Sequence, residues 1–187
     1  MIRDCKLSHE IGRFSRRRFL RGFSALALAP LAAMPEVPPP DRRSLSFVHT
    51  HTGEALTTTY FQNGNYLAPS LERINHLLRD FRTDEVHSID PAVLDILFDL
   101  QAKAKHEGPF EVISGYRSPQ TNAALRRQSS AVAEHSLHME GRAIDVRLRG
   151  FPTVRLRDIA IALHRGGVGF YAASDFVHVD NGRVRAW

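Results

Sequence analysis

Two histidines and an aspartate, His138, Asp145 and His178, stand in the strings SLHMEGRAIDV and DFVHVD, and their spacing constrains the fold more than any compositional feature. His138 and Asp145 are seven positions apart. On one helix that separation is a rise of about 10.5 Å, too long for two ligands that each lie about 2 Å from a shared ion. If the residues act together, the chain must bend between them. Gly141 supplies the break, and Ala143 to Leu148 alternates as a strand that carries Asp145 on one face. His138 then belongs to the preceding loop. A second short strand, Phe176 to Asp180, puts Phe176, His178 and Asp180 on one face by its period of two. Two adjacent strands and a loop can converge on one point. Two imidazoles and a carboxylate suit a catalytic Zn2+, leaving a fourth position for water. Any one of the three, taken alone, reads as an ordinary surface or hydrogen-bonded side chain.

The surrounding strings narrow this. SGYRS at Ser114 to Ser118, SLHMEGRAID at Ser136 to Asp145, and then GGVGFY and FVHVD resemble the M15-type zinc peptidases. These share the fold of D-Ala-D-Ala metallopeptidases and hedgehog-type domains, and the similarity points to the small murein endopeptidases formerly described as a domain of unknown function. It runs from the HTGE string at His51 to Trp187. The resemblance implies zinc on His138, Asp145 and His178, a substrate-facing Arg117, and peptide cross-links of peptidoglycan as substrate. The bond it implies is the 3-3 link between two diamino acids. It also implies a base near the metal. Asp175 matches the position at which the wider family places an acidic base, while Asp180 belongs to the H-x-D element of the nearer relatives. Asp175 is the slightly favoured candidate. Asp180 is alternatively a partner that fixes the imidazole of His178.

The other end of the chain carries a different signal. Ser15 to Arg21, SRRRFLR, fits a twin-arginine export signal, with the apolar stretch Gly22 to Ala33 behind it. About twelve apolar residues fall short of the roughly 20 that span a bilayer, so no stable membrane span is expected in the mature form. Cleavage is expected between about residues 29 and 36. The first 34 residues hold seven Lys or Arg against two Asp or Glu, and the remainder has 18 of each sign. The basic character therefore belongs to the leader, and no footprint for nucleic acid remains. Cys5, the single cysteine, also lies there. A metal in the mature protein must be held by nitrogen and oxygen. The expected organisation is residues 1–34 as signal, 35–43 as a proline-rich spacer, and 44–187 as one periplasmic domain, a monomer.

Within that domain the pattern predicts an α+β fold: a small antiparallel sheet bearing the zinc site, packed with several helices. Strands are expected at Leu45 to His51, Leu56 to Phe61 and Phe110 to Ile113. Helices are expected at Ser70 to Phe81, at Pro91 to Lys105 with Asp90 as cap and Gly108 as stop, after Ser118-Pro119, and at Thr153 to His164. Arg117, following a strand and a glycine, is placed to reach a cleft, where its planar fork suits a carboxylate or an oxyanion. Tyr116 should point into the core. His135 is assigned no role, and His49 and His51 are read as an exposed strand face. Three functions remain open at this stage: a zinc endopeptidase of murein, a D,D- or L,D-carboxypeptidase trimming stem peptides, and a non-catalytic wall-binding module.

Overall fold

The computed structural model describes residues 41–129 and 132–187. The expected export signal and most of the spacer lie outside the described residues. β1 (Arg42–His49) and β2 (Ala55–Gln62) form an antiparallel hairpin, and the short β3 (Asn65–Tyr66) extends it. Then follow α1 (Ala68–Leu77), α2 (Pro91–Ala104), β4 (Phe110–Ser114), α3 (Pro119–Gln128), a 3-10 turn (Leu137–Glu140), β5 (Ala143–Leu148) and α4 (Thr153–Leu163). The hairpin β6 (Gly167–Tyr171) and β7 (Phe176–Asp180) leads to the short β8 (Arg185–Ala186).

All eight strands join one sheet in the order β3-β2-β1-β4-β5-β7-β6-β8. The α+β plan holds, but the expected small antiparallel sheet is a large mixed one. β1 runs parallel to β4, and β6 parallel to β8. The first pairing is possible because α1 and α2 lie between the two strands, and a parallel neighbour needs such a crossover. The N-terminal hairpin therefore continues the sheet that carries His178 and Asp145.

Helix boundaries follow local chemistry. Asp90 accepts a hydrogen bond from the Ala92 amide at 2.9 Å and Pro91 opens α2. Lys105 ends it in the left-handed conformation, three residues before Gly108. Ser118 caps α3 by accepting from the Thr121 amide at 3.2 Å. α1 starts two residues earlier than its periodicity suggested, because Pro69 suits the first turn, and it stops at Leu77, where the chain turns into the Asp80↔Glu85 bridge.

The core forms against one face of the sheet. Phe47, Phe110, Val112, Ile144, Val146, Val177 and Val179 are buried with Ile74 of α1, Val93, Leu94, Leu97 and Leu100 of α2, and Leu156 and Ala160 of α4. Alternation then sends Asp145, Arg147, Phe176, His178 and Asp180 to the other face. One residue ties the two faces together. Gly141 ends the 3-10 turn with φ of +66°, and a Cβ there would come within 2.1 Å of the Ser88 carbonyl oxygen. Its own carbonyl accepts from the Asp90 amide at 2.9 Å. Gly141→Ala should lower stability by about 1–3 kcal/mol, the usual cost of a strained backbone position, with more if the Ser88 contact cannot relax. A reduced midpoint in urea unfolding checks it, and an unchanged midpoint would remove Gly141 as the device that sets this turn.

Candidate metal centre

Three side chains meet on the face of the sheet opposite the core. His138 comes from the 3-10 turn, Asp145 from β5 and His178 from β7. Asp145 and His178 are direct partners in the antiparallel β5–β7 register, so both project from the same row. His138 Nε2 lies 3.2 Å from Asp145 Oδ1 and 3.1 Å from His178 Nδ1, and His178 Nδ1 lies 2.9 Å from the same Oδ1. Ligands at tetrahedral angles around an ion bonded at about 2.0–2.1 Å are separated by about 3.3 Å. Among the described residues this is the one group of three or more His, Cys, Asp or Glu able to hold a metal ion. All three are buried.

The outer atoms of both imidazoles are already engaged. His138 Nδ1 donates to the Gly115 carbonyl at 2.7 Å, and His178 Nε2 donates to Asp180 Oδ2 at 3.0 Å. The rings are thereby turned so that His138 Nε2 and His178 Nδ1 face Asp145. The carboxylates of Asp145 and Asp180 favour positive charge on the imidazole between them. Burial opposes charge on His178, yet hydrogen bonds and charge from Asp145 and Asp180 outweigh it and push its pKa up to about 9. Burial would raise Asp145, but His138 and His178 hold it below the usual carboxylate range. Burial pushes His138 down.

Asp180 is enclosed. Besides His178, its oxygens accept from the amides of Gly167 at 3.0 Å and Gly182 at 2.8 Å and from both terminal nitrogens of Arg185 at 3.1 and 2.7 Å. These donors outweigh burial and hold its pKa below the usual range. Asp175 is placed differently. It ends a short 3-10 turn just before β7 in the left-handed conformation, its side chain is 62% exposed, and its Oδ2 is 3.7 Å from Arg147 Nη1. It does not line the cavity at the metal centre.

Arg117 does line that cavity of about 520 Å3, together with His138, Asp145, His178 and Trp187. Its Nη2 is 3.7 Å from Asp145 Oδ2 and its Nη1 donates to Asn122 Oδ1 at 3.5 Å. Its Nε is buried and unpaired among the described residues, and burial lowers its pKa. The backbone around it is knitted to the site: Arg117 N donates to the His138 carbonyl at 3.1 Å and Tyr116 N to the Leu78 carbonyl at 2.8 Å. Tyr116 itself is buried, as its position in the strand end suggested. Asp80 is the anchor that the motif reading missed. It is 1% exposed and accepts from Ser118 N at 2.9 Å, Ser118 Oγ at 2.7 Å and Arg82 N at 3.0 Å. The local pattern of RDFRTDE does not mark Asp80 as part of the site, because the Ser118 donors it holds lie 38 residues away.

His49 corrects an expectation. It is fully buried, because β1 lies inside the sheet between β2 and β4, and its Nδ1 accepts from the amides of His51 and Thr52 at 3.2 and 3.3 Å. His51 is exposed and stacks on Phe81 at 4.1 Å. Trp187 was also unforeseen as part of the site, although it follows Arg185 by the period of two that defines a strand face.

Comparison with known proteins agrees with this arrangement. A family model described as Peptidoglycan L,D-endopeptidase MepK matches residues 37–187, and the chain belongs to this M15-type peptidase family. It is 38% identical over 161 residues to the Escherichia coli K12 protein named Peptidoglycan L,D-endopeptidase MepK, covering 86% of this chain and 88% of that protein. It is likewise 38% identical over 163 residues to the Haemophilus influenzae protein named Probable peptidoglycan L,D-endopeptidase MepK, covering 87% and 88%. No solved structure matches. No helix of the described residues is long and apolar enough to cross a membrane.

Removing the Asp80 anchor strands three donors next to Arg117. Asp80→Ala should cost about 1–3 kcal/mol for each buried donor left without a partner, read in chemical denaturation. A loss within experimental error would mean that water replaces the carboxylate without penalty.

Proposed function

We propose that this chain is a zinc-dependent murein endopeptidase that hydrolyses peptide cross-links of peptidoglycan, with the 3-3 link between diamino acids as its bond. The observation that carries the reading is the convergence of His138 Nε2, Asp145 Oδ1 and His178 Nδ1 in a cavity that Arg117 and Trp187 also line. The donor set of two nitrogens and one oxygen, with each imidazole held from behind, fits Zn2+ in a catalytic site. The L,D specificity in the names of its relatives supports the choice of bond. Peptidoglycan as substrate supports a periplasmic reaction, and the twin-arginine leader is the proposed route there.

When bound, the ion would supply Lewis acidity, polarising the scissile carbonyl and easing ionisation of the attacking water. The protein's own residues do the rest. Arg117, locked behind by Ser118 and Asp80, directs its guanidinium at the cavity, where it stabilises a carboxylate of the substrate or the oxyanion that develops on the carbonyl. Asp180 has its oxygens filled by five donors, so its role is to fix the ring of His178. Asp175 lies outside the cavity lining, with its Oδ2 3.7 Å from Arg147 Nη1, so the resemblance alone supports it as the proposed general base.

Purified muropeptide dimers of both linkage types, offered side by side to the zinc-loaded protein and resolved by mass spectrometry, test the reading. The 3-3 dimer should be opened to monomers, and His178→Ala should lose both zinc and cleavage. Cleavage of only the D-Ala-linked dimer overturns the choice of bond, and release of only a terminal residue overturns endopeptidase action in favour of a carboxypeptidase. Full zinc occupancy in His178→Ala, measured by elemental analysis, overturns the ligand set.

The two aspartates separate by readout. Asp175→Asn should lower kcat by about 10²–10⁴-fold, the contribution of a general base, with zinc retained. Asp180→Asn should weaken zinc binding by about 10–100-fold, as loss of an outer partner of a ligating histidine does. Competition with a chelator measures the second, and the opposite pattern would exchange the two roles.

A further inference from the structure

Trp187, the only tryptophan of the chain, is held over the centre by contacts that leave it 53% exposed. Its amide donates to the Val168 carbonyl at 3.1 Å and its carbonyl accepts from the Phe170 amide at 3.0 Å, so it extends β8 beside Gly169. Gly169 is in turn the register partner of His178. A Cβ on Gly169 would meet three indole atoms at 2.7–2.9 Å. The missing side chain is what lets the indole cross β6 and come within 5.3 Å, ring to ring, of His178. The indole Nε1 donates to the Tyr171 hydroxyl at 3.2 Å, and Tyr171 stacks on Phe176 at 4.6 Å. The guanidinium of Arg185 lies 4.9 Å from the ring centre, with its terminal nitrogens committed to Asp180 and the Arg183 carbonyl.

These contacts fix a large apolar ring that is not buried. A free surface tryptophan would lack such contacts, and a structural one would be covered; this one is hydrogen-bonded in place and open to the cavity that holds the metal ligands. Its polar edge and the neighbouring cation are both occupied, so what it offers a ligand is hydrocarbon surface. The opposite wall carries Arg117, the charged partner. Resting on the endopeptidase reading above, we propose that Trp187, with Tyr171 and Phe176, forms the substrate ledge that receives the methylene chain of the diamino acid at the cut cross-link, making Trp187 a specificity-determining residue. The bridging side chain of such a link is aliphatic between two polar ends. An aromatic surface beside the centre, facing a guanidinium across it, matches that sequence of chemistry.

The single tryptophan is also the reporter. With the full-length, zinc-loaded protein, adding the 3-3 dimer should shift Trp187 emission to shorter wavelength and saturate near the KM. Trp187→Ala should raise KM by about 10-fold, the order expected for losing burial of one or two methylenes, with kcat changed far less, since such contact is made equally in ground and transition states. Zinc content should be unchanged, and Trp187→Phe should restore most of the binding. Dimers whose bridging diamino acid is shortened by two methylenes should lose a similar factor with the natural protein and little further with Trp187→Ala. Gly169→Ala should reproduce part of the KM effect by pushing the indole aside. An unaltered KM in zinc-loaded Trp187→Ala, or emission that does not respond at saturating dimer, overturns the proposal. Should Trp187→Ala lose zinc, the emission titration and Trp187→Phe decide it. If the natural protein opens no dimer, the endopeptidase reading fails, and the emission titration still decides whether the ledge binds the link.

Discussion

The pairing of Asp145 with His178 across β5 and β7 is the constraint on which the rest of this structure depends. Residues directly opposite in an antiparallel pair share a face, and a slip of one residue would turn one of them into the core. The register is set from the core side. Ile144, Val146, Val177 and Val179 are buried against α2 and α4, so any slip that moved Asp145 inward would place a charge among them and expose a valine in exchange. The stability of the hydrophobic face thus fixes the geometry of the polar one.

A buried carboxylate between two imidazoles is expensive unless every outer atom is satisfied. This protein meets that demand with two similar devices. Asp180 gathers two backbone amides, Arg185 and the far nitrogen of His178, while Asp80 gathers Ser118 and the Arg82 amide behind Arg117. Both aspartates are essentially inaccessible. Each acts on the residue in front of it, one turning an imidazole and one fixing the loop that carries a guanidinium. The cavity then presents preset groups, which lowers the cost of ordering when a substrate enters.

The row Ser114, Asp145, His178 and Gly169 runs across four strands drawn from three separate stretches of the chain. Such a site cannot form before the sheet does. Its assembly needs β4 and β5 to pair with the local β6–β7 hairpin.

Several features were legible in the sequence because their causes are local. The cap at Asp90, the cap at Ser118, the break at Gly141 and the alternation around Asp145 and His178 depend on neighbours a few residues away, and each appears where the pattern placed it. The metal trio could be suggested because spacing and residue type restrict what can converge, and the M15 strings named the family. Other features depended on contacts between distant segments. The parallel pairing of β1 with β4 buried His49, which alternation alone had read as exposed. The 38-residue reach from Asp80 to Ser118, the closure around Asp180, and the passage of Trp187 over Gly169 leave no periodic trace. The sequence by itself determined which residues can bind, cap and alternate; only the tertiary structure decided which carboxylate is shut in and which is exposed, because that turns on donors brought from other strands and loops.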